Sequence, residues 1–262
     1  VMNIITWPKR LIFDEFINPL GWLHEPRPEV WARFVPKRTL RILYRLLLWR
    51  AAYILTDTEA TAAYSSQLTY GKPPSERFEA LPVSTDETLF TPVKHTVVKK
   101  PFKVFYYGNM LPLHGISHVL HAAVLLGKLP IEFVIVGGKK DISVKVRAAV
   151  EQGARIHYRD WVDYHRLPDE IHAASLCLGG PFGATPQADL VVTGKTYQFL
   201  ACGVPVLMGK NQASGAFTHK KNCLMVPLGD SEALARQITW AYQHQDALAT
   251  IGTNGRVLYE EK

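Results

Sequence analysis

Residues 193–208 read TGKTYQFLACGVPVLM. The spacing predicts a short helix that opens at Gly194-Lys195, stops at Gly203 and gives way to a buried strand from Pro205. A helix N-terminus presents unpaired N–H groups and the positive end of its dipole, which suits an anion. Lys195 adds a full charge there, and Phe199, Leu200 and Ala201 supply the apolar anchor behind it. Two readings follow from the residues alone. One is an ordinary helix–strand unit with a surface lysine. The other is a phosphate-binding turn of the P-loop kind, since Gly194-Lys195-Thr196 matches the end of that motif. The P-loop needs a glycine five positions earlier, where Asp189 stands. Leu190 to Val192 is also short for the strand that should feed it.

Strand and helix signals alternate on both sides of this stretch. Phe102 to Tyr107 and Ile131 to Val136 are apolar runs, each followed by glycine, as expected of strands covered on both faces. Helical spacing follows Gly115, and a second helix is expected from Asp141 to Gln152. Further strands are expected at Arg155 to Tyr158, Ser175 to Leu178 and Cys223 to Val226, with a helix from Leu167 to Ala174. Asp230 is placed to cap a helix whose Leu234, Ile238 and Tyr242 face inward. This alternation predicts α/β architecture with parallel sheets and helices on both sides.

The first part is shorter, with strands expected at Leu11 to Phe13, Tyr53 to Leu55 and Phe78 to Val83. The text turns polar between Val83 and Pro101, with a basic pair at Lys99-Lys100, and is read as a linker. The expected division is 1–93 and 94–262. The first domain is expected to lack its opening strand–helix units, because so short a segment is small for a complete Rossmann-like sheet. A naturally small first domain is the alternative.

The chain has 262 residues, 47% hydrophobic and 20% charged, the balance of a globular protein. No apolar run approaches the roughly 20 residues of a spanning helix. The N-terminus lacks a secretory pattern. Cys177, Cys202 and Cys223 are scattered on apolar segments, so reduced thiols and a cytoplasmic location are expected. The histidines and acids show no ligand spacing, so no metal site is expected.

The net charge of +7 is uneven. Between Trp31 and Thr56 stand Arg33, Lys37, Arg38, Arg41, Arg45 and Arg50, with no acid among them. Arg38, Arg41 and Arg45 share one helical face, and Leu40, Leu43 and Leu47 the opposite one. A solvated basic face is one reading. The other is a helix over residues 33–50 that touches anionic lipid headgroups at the inner face of the membrane. Nucleic acid is not expected, for no reading motif accompanies the charge.

Several segments resemble family 4 (group 1) glycosyltransferases of the GT-B fold. Lys195 to Val206 matches their donor-domain pattern Lys-x-x-Glu-x-x-Ala-x-Gly-x-Pro-Val, except that Gln198 stands for the glutamate. Ala52 to Thr58, Leu81 to Phe90, Tyr106 to Gly115, Asp160 to Pro168 and Asn222 to Asp230 resemble further family segments, in family order. The resemblance implies two Rossmann-like domains, the acceptor side first and the nucleotide-sugar donor side second. It implies a retaining, metal-independent sugar transfer, without cofactor, from a nucleoside diphosphate to a glycan or lipid-linked acceptor.

The resemblance also assigns roles. Lys195 and His114 would stabilise the diphosphate, His114 either as a cation or as a neutral donor. Gly108 and Asn109 would line the donor site, Asn109 standing where arginine is frequent. Trp161 and Val162 would meet the base and Gln198 the ribose. Gly183 and Thr185 would approach the diphosphate through backbone N–H groups. Asp14 would face the acceptor. The first acid of the family's glutamate pair falls on Leu190 or Gly180, so both members are replaced. Two rival readings stand beside this one. The first is a nucleotide-sugar-binding protein of the same fold without turnover. The second is a nicotinamide-dependent oxidoreductase, which would require a G-x-G-x-x-G turn that does not occur.

Overall fold

The computed structural model describes residues 11–22, 36–92, 101–138 and 140–261. Expectations for Arg33, for Lys99-Lys100 and for the rest of 93–100 lie outside them. The chain divides into two compact units, Val1–Val83 and Ser84–Lys262.

The first unit holds a parallel sheet of order β1-β2-β3, from Leu11–Asp14, Ala51–Thr56 and Phe78–Ala80. Helices α1 (Lys37–Leu48) and α2 (Glu59–Tyr70) connect them. Thr58 caps α2 by accepting from the Thr61 amide. The small core gathers Leu20, Tyr44, Leu48, Ala51 and Ile54. Helix α1 departs from its expected faces. Tyr44 and Leu48 turn inward, whereas Leu43 is 56% and Leu47 37% exposed. The apolar positions outnumber what one buried stripe can take, so α1 is apolar on two faces.

The second unit is a six-stranded parallel sheet of order β6-β5-β4-β7-β8-β9. The strands are β4 Phe102–Tyr107, β5 Ile131–Val136, β6 Ile156–Arg159, β7 Leu176–Leu178, β8 Val206–Lys210 and β9 Leu224–Pro227. The helices are α3 Ile116–Leu125, α4 Lys140–Glu151, α5 Leu167–Ala173, α6 Gly194–Ala201, α7 Ser231–Gln243 and α8 Gln245–Glu260. Alternate residues of β4 serve the two faces. Phe102, Val104 and Tyr106 pack with α3, α4 and α7, while Phe105 and Tyr107 pack with α5 and α6. The order reverses direction between β4 and β7, and doubly wound sheets open a ligand crevice at such a point.

The division falls at Val83/Ser84, earlier than the expected 93/94. The physical reason is Phe90, which is fully buried among Phe105, Leu167 and Phe199. His172 Nε2 also lies 2.9 Å from the Thr91 carbonyl. Residues 84–92 are therefore part of the second unit, despite their polar composition. Gly203 takes a left-handed conformation (φ +68°) just past α6, as its place in the sequence requires. Asp230 caps α7 by accepting from the Ala233 amide at 2.7 Å.

Among the described residues no helix is long and apolar enough to cross a membrane. The three cysteines are buried and form no disulfide among the described residues.

Candidate donor site

The chain after each of β4, β5 and β6 bends over the carboxyl edge of the sheet, and α6 begins beside them. Together they line a cavity of about 460 Å³. Gly108 and Asn109 follow β4, Gly137-Gly138 follow β5, and Asp160, Trp161 and Val162 follow β6. Thr193, Gly194 and Lys195 close it at the start of α6. The floor is main chain at close quarters. Gly137 has φ +101°, and a Cβ there would collide with the Gly108 carbonyl.

Lys195 is 7% exposed, not a surface lysine. Its ammonium donates to the Tyr107 carbonyl at 3.0 Å and sits 4.0 Å from the Tyr106 ring centroid. One carbonyl and one aromatic face do not replace full hydration of an ammonium. Burial accordingly pulls its pKa down to about 7. No side chain caps α6. Thr193 turns its hydroxyl to the Gly179 carbonyl at 2.6 Å. The described residues supply no partner for the Gly194 and Lys195 amides, which stand at the cavity wall. A helix start of this kind favours an anion.

His114 reaches the cavity from the turn before α3. Burial, and then the neighbouring Lys195 charge, pull its pKa down to about 3. In the empty site it is therefore a neutral imidazole at physiological pH. Its Nδ1 is buried and finds no partner among the described residues.

Gly108, Asn109, His114, Trp161, Val162 and Lys195 are thus brought together, with Trp161 70% exposed at the rim. Three expected donor residues are not on the lining. The Gly183 amide donates to the Leu113 carbonyl at 3.0 Å, so it is spent within the fold. Thr185 accepts from the Ala188 amide at 3.1 Å and shapes its own turn. Gln198 lies one step behind the lining: its Oε1 accepts from the Tyr107 hydroxyl, and its Nε2 is 3.4 Å from the Tyr164 hydroxyl. Leu190, one place for the first acid of the pair, is buried. In the first unit Asp14 ends β1 and is exposed. The buried acid there is its neighbour Glu15, whose carboxyl burial pushes above the ordinary range.

The reading from sequence missed Tyr107, Gly137, Gly138, Leu167 and Thr193. The double glycine after a continuous apolar strand was the available signal for two of them. Asp160 also lines the cavity, whereas Asp163 forms a turn by accepting from the His165 amide at 2.8 Å. Among the described residues no group of three or more His, Cys, Asp or Glu is arranged to hold a metal.

A parallel sheet with this switch point, and a cationic, amide-lined crevice at its strand ends, define an α/β protein suited to an anionic nucleotide. The family model described as "Glycosyl transferases group 1" matches residues 101–244, more than half of the chain, and the chain belongs to that family. No curated protein matched the sequence. Among solved structures it is similar to HepE from Anabaena in complex with UDP-glucose (TM-score 0.70, 16% identity, 87% of this chain and 64% of that one). It is likewise similar to sucrose-phosphate synthase from Thermosynechococcus elongatus (TM-score 0.73, 18% identity, 99% and 65%). A third is the C-terminal domain of a group 1 glycosyl transferase, LpcC, from Francisella tularensis (TM-score 0.57, 16% identity, 68% and 98%). The chain spans 64% and 65% of the length of the first two. Its fold is the GT-B glycosyltransferase fold, with parallel sheets in both units.

Proposed function

We propose that the chain transfers a sugar, with retention, from a nucleoside diphosphate to a glycan or lipid-linked acceptor, and that it needs no metal to do so. The observation that carries this is the buried Lys195 ammonium beside the unpartnered first-turn amides of α6. When the glycosidic bond of the donor breaks, negative charge grows on the departing diphosphate. Fixed donors in a water-poor site stabilise that charge far more than water-exposed ones do. Lys195 supplies the charge, and the amides of Gly194 and Lys195 supply oriented dipoles. His114, neutral in the empty site and on the same lining, would add a hydrogen bond without a second cation. An arriving diphosphate raises the Lys195 pKa again, so binding draws a proton onto the amine.

The base would lie against Trp161 and Val162. Gln198, one step behind the lining, would act through Tyr107, whose hydroxyl its Oε1 holds in place. Retention and the acceptor class rest on the family resemblance, as does an acceptor role for Asp14. Support for the donor class comes from HepE, solved with UDP-glucose. A second reading is favoured by Gln198 and Leu190, which leave both acidic positions uncharged: donor binding without turnover.

The test is a thermal-shift screen across UDP, GDP and ADP, repeated with Lys195→Ala. One diphosphate should stabilise the parent and leave the variant unmoved. Equal stabilisation of both proteins would remove Lys195 from the site. Calorimetric binding of the matching nucleotide sugar, with no hydrolysis or transfer over long incubation, would establish the second reading.

A further inference from the structure

Helix α1 is apolar also on the side away from its inward residues Tyr44 and Leu48. Ile42, Leu43 and Leu46 are 56%, 56% and 58% exposed, and Trp49, at its C-cap, is 67% exposed. Ile42, Leu46 and Trp49 recur at i, i+4 and i+7, so they form one stripe opposite the inward Tyr44 and Leu48. Exposed Arg38 and Arg41 border it on one side. Arg45 is already engaged, its Nε donating to the Thr69 carbonyl at 2.6 Å and its guanidinium lying over the Tyr70 ring. Arg77 holds the far end of the helix through the Leu48 carbonyl at 2.6 Å. The helix is therefore fixed in place with its apolar stripe outward. No acidic residue occurs from Lys37 to Thr56.

We propose that this face docks on an anionic phospholipid surface, with Ile42, Leu43 and Trp49 entering the headgroup–acyl boundary and Arg38 and Arg41 meeting the phosphates. An apolar centre, a basic border and a tryptophan at one end is the composition of an interfacial helix. Charge decides against a second copy of the chain as the occupant. A two-fold contact on this face would set the same basic border against itself. A lipid surface instead offers opposite charge wherever the border falls.

The experiment is co-sedimentation of the full chain at low salt, with phosphatidylcholine vesicles and with vesicles containing about 30% phosphatidylglycerol. Binding should be confined to the anionic vesicles and should weaken as salt is raised. The double variant Arg38→Gln and Arg41→Gln should bind about thirtyfold more weakly, about fivefold for each charge. The double variant Ile42→Ser and Leu43→Ser should lose binding while keeping the parental circular dichroism spectrum, because both side chains are exposed. A blue shift of tryptophan emission on anionic vesicles should disappear in Trp49→Phe. Equal partition onto neutral and anionic vesicles would overturn the proposal. So would light scattering that shows a dimer abolished by the Ile42→Ser and Leu43→Ser changes. None of these readouts depends on nucleotide binding.

Discussion

Replacing Lys195 by methionine should stabilise the empty protein while destroying its ligand site. The buried lysine has a pKa of about 7 in the fold, against 10.5 for an ordinary lysine. At pH 7 the unfolded chain carries this proton fully, and the folded one carries it half of the time. The difference disfavours folding by about 4 kcal/mol, at about 1.4 kcal/mol for each tenfold change in proton activity. The unfolded state binds more protons throughout the window from about 7 to 10.5, so stability rises with pH across it. Methionine has a similar length and carries no such cost. Losing the amine's hydrogen bond to the Tyr107 carbonyl gives back about 1 kcal/mol, which leaves a gain of about 3 kcal/mol at pH 7. Urea unfolding of both proteins, with no nucleotide present, measures the difference. The gain should shrink steadily, reach zero near pH 10 and give way above that to the roughly 1 kcal/mol lost with the hydrogen bond. Nucleoside diphosphate affinity should fall at least about thirtyfold, the loss of one buried charge-assisted contact. A methionine variant less stable than the parent at pH 7, or a difference that ignores pH, would refute the reasoning. Function then costs stability at a single side chain.

Other positions make separate predictions. For His114, the folded pKa near 3 lies below the ordinary 6.5, so the unfolded chain takes up a proton first. Stability should be complete above pH 6.5 and decline toward pH 3, and His114→Gln should flatten that decline in acid-titrated circular dichroism. Gly137→Ala should lower nucleotide affinity and stability together, by about 2 kcal/mol or more, since both the positive φ and the Gly108 carbonyl oppose a side chain. Phe90→Ala should cost the second unit about 3–5 kcal/mol in urea unfolding and expose residues 84–92 to protease. Trp161→Ala should weaken nucleotide binding about tenfold and remove any quenching of tryptophan fluorescence by nucleotide, with stability unchanged because the ring is largely exposed.

The second unit was legible because its signals are local. Apolar runs ending in glycine marked β4 and β5, and Gly203 and Asp230 marked helix ends. Lys195 could be placed from its neighbours alone. Its burial could not, because the Tyr106 ring and Tyr107 carbonyl that enclose it come from a strand far away in the chain. The protonation of His114 was hidden for the same reason. Gly183 looked free for a ligand until the Leu113 carbonyl took its amide, a contact across the sheet edge that no spacing encodes. Gln198 looked like a ribose contact, and the Tyr107 hydroxyl occupies its oxygen. The polar text after Val83 concealed a single anchoring ring, Phe90, since average composition says nothing about one fully buried side chain. In α1, charge periodicity suggested which side faces water, but packing around Tyr44 and Leu48 chose the orientation.

The glycine floor of the cavity has a consequence for redesign. Where Gly137 meets the Gly108 carbonyl, the contour belongs to the peptide backbone, and no exchange of side chains can widen, deepen or recharge it. Attempts to alter which nucleotide is accepted should therefore leave the base of the crevice alone and work on its margins, at Asn109 and Trp161, where exposed side chains can be swapped without reshaping the sheet.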